Sequence, residues 1–158
     1  MNELAIARAL HVIGVVVWIG GVSMTTTVAL PAIRRAVFGA DKLAFFEAFE
    51  HRFAWQARGA VLLVGLSGLF MVIKQDLWSR FFASGFWWMH AMVGLWLVFA
   101  FVLFIAEPFI LHRRFNAWAK RDSDAAFGKL HRAHMILLVL SLITVFGAVA
   151  GSHGWSLF

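Results

Sequence analysis

Four long apolar stretches, separated by short charged ones, set the pattern of this chain. The first runs from Ala9 to Ile33 without a formal charge, and the second from Phe53 to Ile73 with Gln56 and Arg58 near its start. The third, Phe81 to Ala106, is uncharged up to Glu107-Pro108, and the fourth begins at Met135 and runs to the C-terminus. A bilayer core about 30 Å thick takes roughly 20 helical residues, so each stretch predicts one transmembrane helix. The expected helices cover about residues 4–33, 52–74, 81–111 and 131–152, all within one domain. Short connections force neighbouring helices to run in opposite directions. The expected fold is therefore all-α, an integral membrane up-down-up-down four-helix bundle. The first stretch is expected to stay as a span rather than be cleaved as a signal peptide, because it lacks a basic leader and its apolar run is too long. The charged stretches from Ala36 to Glu50 and from Phe115 to Leu130 predict short amphipathic helices on the cytoplasmic surface. Phe45, Phe46 and Phe49 would then face lipid or the bundle.

Composition strengthens this picture. Of 158 residues, 62% are hydrophobic and only 14% charged, a balance that suits lipid rather than water as the solvent. There is no cysteine, which excludes disulfides, thiolate metal sites and cysteine nucleophiles, and no tyrosine, which excludes phenolic chemistry. The formal charge of +6 does not predict nucleic-acid binding, because the basic residues lie between the apolar runs. Arg34, Arg35, Lys42, Arg52 and Arg58 surround the first connection, and Arg113, Arg114, Lys120, Arg121, Lys129 and Arg132 the third. Arg8, Lys74 and Arg80 remain for the other side. An excess of Lys and Arg marks the cytoplasmic face, so both termini are expected outside, in the periplasm of a bacterial inner membrane. Trp78, Trp87, Trp88 and Trp155 fall near that outer interface, where an aromatic belt belongs.

Candidate chemistry lies in the histidines. Ionisable groups are costly inside a membrane and mark functional positions. His11 and His90 fall at matched depth, ~10 Å below the outer surface by helical rise, on helices that are diagonal in an up-down bundle. Each has a glycine on its own face, Gly14 and Gly94, which would leave room for a flat macrocycle. These positions predict that His11 and His90 ligate one haem b iron. At the cytoplasmic end, His51 on the second helix and His134 or His131 on the fourth form a second candidate pair. Arg52, Arg58 and Arg113 stand near enough to meet the propionates of a second haem. Glu107 is an intramembrane carboxylate expected to pair with an arginine, with a proton-relay role as the alternative. No HExxH pattern or methionine cluster points to zinc or copper.

The run Leu10-His11-Val12-Ile13-Gly14-Val15-Val16-Val17-Trp18-Ile19-Gly20-Gly21 resembles the first helix of the copper-resistance D (CopD-like) membrane proteins and of the HemJ-type protoporphyrinogen oxidases. Trp88-Met89-His90 is similar to the second histidine-bearing segment of the same groups. The resemblance implies a haem-binding membrane bundle with His11 and His90 as ligands. His131-Arg132-Ala133-His134 and Gly151-Ser152-His153-Gly154 depart from the HemJ pattern. The leading functional expectation is a membrane-embedded b-type cytochrome that passes electrons through bis-His haem, to or from quinone. The alternatives are a HemJ-like haem-dependent protoporphyrinogen oxidase and an accessory subunit of a respiratory complex. Expected partners are the lipid bilayer, quinone, and either further respiratory subunits or a second copy of the chain.

Overall fold

In the computed structural model, residues 2–35 and 42–155 are described, and all of their regular structure is helical. Four helices are long and apolar enough to cross a membrane: α1 (Asn2–Arg34), α2 (Lys42–Lys74), α3 (87–119, with its apolar stretch given by Ser84–Ile110) and α4 (Ser123–Ser152). At 33 residues, α1 and α2 are each ~50 Å long, well beyond an apolar core of about 30 Å. The excess length corrects the expected boundaries. Helix α2 starts at Lys42 rather than near residue 52, and α4 at Ser123 rather than near 131. Helix α3 starts at Trp87 rather than near 81 and continues past 111 to Ala119. Among the described residues, separate surface helices are accordingly not found. Residues 42–50 are the first turns of α2, residues 115–119 end α3, and residues 123–130 open α4. Residues 36–41 of the first connection lie outside the described residues.

A second small core explains why the helices run on. Leu30, Ile33, Phe46 and Phe127 are buried together, with Phe115 and Leu130 packed against them. The Phe46 ring stands 5.2 Å from Phe115 and 5.3 Å from Phe127, tilted to the first and edge-on to the second. Aromatic contacts of this kind add to the area they bury. Asp122 starts α4 as its cap, its carboxylate accepting from the Ala125 N–H at 3.0 Å.

Contacts between helices follow a regular order. Partner numbers on α2 fall as those on α1 rise, from His11 with Ser67 to Gly14 with Val64 and Gly21 with Phe53. Helix α2 meets α3 through the Trp96 indole N–H, which donates to Val61 O at 2.8 Å, and through Asn116, which donates to Glu47 at 2.6 Å. Helix α3 meets α4 where Trp87 covers Gly147 and Trp88 covers Gly151. Arg34 of α1 donates to His131 of α4 at 3.1 Å. In the centre, Trp18, Ile19 and Val22 of α1 pack with Val61 and Val64 of α2, Phe99 of α3 and Leu138 of α4. Trp18 and Phe99 meet edge to face at 4.9 Å. Val16, Trp55, Leu66 and Phe146 are exposed apolar side chains, the surface that lipid covers in a membrane.

Two wide turns interrupt the helices. Thr25–Ala29 in α1 and Val102–Leu111 in α3 wind as π-helix. The chain has two prolines, and they fall at these places: Pro108 within the second segment and Pro31 just beyond the first. Proline lacks the N–H of a regular turn and its ring crowds the carbonyl one turn back. A widened turn absorbs both effects without ending the helix.

Candidate functional site

His11 is held against α2. Its Nδ1 lies 3.1 Å from Val64 O and 3.1 Å from Ser67 Oγ, while Ser67 spends its own proton on Leu63 O at 2.5 Å. Both neighbours of Nδ1 are therefore acceptors, so Nδ1 carries the proton and Nε2 keeps the lone pair. Gly68 forms the floor under the ring, since a Cβ there would come 3.2 Å from His11 Cε1. His90 is exposed on α3 and stands edge-on to Phe81 at 5.4 Å. No hydrogen bond or ring contact among the described residues joins His11 to His90.

The two glycines do not open a slot between these histidines. A Cβ at Gly14 would meet Val64 Cγ2 at 2.8 Å, so this glycine serves the close approach of α1 to α2. Gly94 is exposed and has nothing within 4 Å of its Cβ position. His11 thus faces α2, whereas His90 lies on the exposed side of α3.

Around the first and third connections the predicted residues separate into groups. His51, Arg52 and Arg113 are exposed. His131 accepts from Arg34 at Nδ1, which places its proton on Nε2, and Nε2 is buried without a partner. His134 Nδ1 lies 3.0 Å from Leu130 O on its own helix, leaving Nε2 as the unengaged nitrogen. Arg58 donates through Nε to Leu103 O at 3.0 Å and through Nη2 to Glu107, an ion pair between α2 and α3. Its guanidinium also lies 5.5 Å from the centre of the Trp55 ring.

His134 and Glu107 share a cavity of about 170 Å³ between the helices. Each helix gives it one polar residue: Thr25 from α1, Glu50 from α2, Glu107 from α3 and His134 from α4. Phe46, Phe49, Phe53 and Phe115 supply an aromatic wall, on which Phe49 and Phe53 stack with their planes 8° apart. Both π-helical segments border this space, through Thr25 and through Val102, Leu103 and Glu107. Thr25 is buried and its hydroxyl has no partner.

At about 170 Å³ this cavity is smaller than the ~300–1,000 Å³ of pockets that hold drug-sized ligands. No three His, Cys, Asp or Glu side chains among the described residues are grouped to hold a metal ion. What the arrangement offers is a proton-bearing imidazole, a paired carboxylate and a free hydroxyl in one small space. Thr25 and Glu50 were not singled out in the sequence. The signal that leads to the site is the pair of prolines beside apolar runs, at the level where the helices widen. No family model, curated protein or solved structure matches the chain.

Proposed function

We propose that the chain is a membrane-embedded redox component whose cytoplasmic-end cavity exchanges protons with a reactant held between its helices. In this reading the helices form an up-down-up-down bundle in a bacterial inner membrane, with both termini periplasmic. The order of the interhelical contacts and the concentration of Lys and Arg around the first and third connections support that orientation. The observation that carries the functional part is the Arg58–Glu107 ion pair, which lies within two apolar spans and borders a cavity shared with His134. Charged and ionisable groups at such depth face a bundle interior or cavity and serve proton and substrate paths. Imidazole is the side chain whose ordinary titration falls in the physiological range. Arg58 holds the carboxylate in place, and His134 is the group free to take and give a proton. The test is solid-state NMR of nitrogen-labelled histidine in reconstituted protein. His134 should gain a proton as the pH is lowered, and the signal of that change should vanish in His134→Gln while His153→Gln keeps it. A His134 ring locked in one state at every pH at which the protein stays folded sinks the proposal.

A second reading, a b-type cytochrome carrying haem b, is favoured by one observation. His11 is tied at Nδ1 to a backbone carbonyl of another helix, the arrangement that orients Nε2 toward a metal. A reduced-minus-oxidised absorption spectrum decides it: the reading expects a haem band that both His11→Ala and His90→Ala remove, and protein that binds no haem ends it.

A further inference from the structure

We propose that the cavity between Thr25, Glu107 and His134 is the docking site for the ring of a lipid-soluble quinone or quinol. The inference rests on the cavity of the reading above and names the reactant that this space would take.

Thr25 is the most informative residue. Three threonines follow one another here, and a threonine inside a helix ordinarily donates to the carbonyl one turn back. Thr26 does so to Val22 O at 2.6 Å and Thr27 to Ser23 O at 2.8 Å. Thr25 does not. Its residue is 4% exposed and lines the cavity, and its hydroxyl is buried without a partner. A buried hydroxyl left unpaired carries a desolvation cost that a ligand oxygen would recover. On α4, His134 has its Nδ1 beside Leu130 O, so Nε2 presents a lone pair. A donor on one helix and an acceptor on another suit both redox forms of the ring. The hydroxyl donates to a quinone carbonyl, and the imidazole accepts from a quinol O–H.

Shape and charge narrow the class further. Phe49 and Phe53 lie nearly parallel on the cavity wall, a surface for a flat ring. About 170 Å³ is room for one ring with its oxygens, or for some five or six waters at ~30 Å³ each. Glu107 enters the site already paired with Arg58, so a neutral ligand meets it without leaving either charge bare. A neutral, flat, lipid-soluble ligand with oxygens on its edge is a quinone headgroup.

The test is equilibrium binding of decylubiquinone to the full chain in nanodiscs. Saturable binding is expected at one ring per chain. Thr25→Val, which keeps the shape and removes the hydroxyl, should weaken binding by roughly tenfold, while Thr25→Ser stays near the parent. Ala54 is buried and lines the cavity, so Ala54→Leu should abolish binding with helix content unchanged by circular dichroism. Absence of saturable binding, or equal affinity in Thr25→Val and the parent, overturns the proposal even if Ala54→Leu fails to fold. Binding without titration of His134 keeps the docking site and removes the proton-exchange reading. Titration without binding removes the docking site alone.

Discussion

Arg58 of α2 and Glu107 of α3 form an ion pair inside the apolar spans, each side chain 19% exposed. Removing one partner leaves the other as an uncompensated charge in a poor solvent. Arg58→Met or Glu107→Gln alone should therefore cost about 3 kcal/mol, and the two changes together less than the sum of the singles. Thermal unfolding in detergent, read as a double-mutant cycle, checks this. Additive losses would mean that the pair is not coupled.

The prolines should control the cavity. Pro108→Ala restores an N–H and relieves the ring, which permits Val102–Leu111 to tighten toward regular α-helix. The chain has no cysteine, so a single Thr25→Cys is a clean reporter of access. Its labelling by a small thiol reagent should slow several-fold when Pro108→Ala is added. An unchanged rate would show that the wide turn does not hold the cavity open.

Glycines on α1 should differ by face. Gly14→Ala would press its Cβ to 2.8 Å from Val64 Cγ2 and 3.4 Å from Ala60 O, whereas Gly20→Ala meets nothing within 4 Å. The first should destabilise by about 1–3 kcal/mol. The second should be neutral or stabilising, because alanine favours helix over glycine by nearly 1 kcal/mol. Melting temperatures of the two variants give the comparison directly.

Topology has its own experiment. Cytoplasmic reporters fused after Lys120 should be active, and periplasmic reporters at the same place silent. The opposite result would invert the orientation drawn from the basic connections.

The spans were legible in the sequence because a bilayer dictates their length and excludes charge from it. Their ends were not. Lys42 to Glu50 is charged and amphipathic, and its fate was decided by Phe46 meeting Phe115 and Phe127 from distant parts of the chain. The start of α4 was missed near 131 although Asp122 followed by Ser123 and Asp124 carries the signature of a helix start. At the site, Glu107 was expected to find an arginine and does. The histidine pairing rested on expected depth, on a glycine beside each histidine and on a family resemblance, none of which fixes the direction a side chain faces. Depth follows from counting residues at a fixed rise, but facing requires rotation about each axis. His11 turns to α2 and His90 to the exposed side, and no contact among the described residues joins them.

The ten-residue wide segment Val102–Leu111 also fixes how α3 tolerates insertion and deletion. Each residue of a regular helix turns the chain by about 100°. Above the segment α3 turns Met89 and Phe99 inward, and below it Ala119 is buried and Phe115 packs on the second core. These two faces are brought into line by the extra residues that the wide turns take up. Loss of a single residue there would leave span length and hydropathy almost unchanged. It would still swing the entire lower half of α3 by about a quarter of a turn, carrying Phe115 out of its cluster and Asn116 away from Glu47. In this stretch the reading frame of the helix is under tighter constraint than the chemistry of most of its side chains.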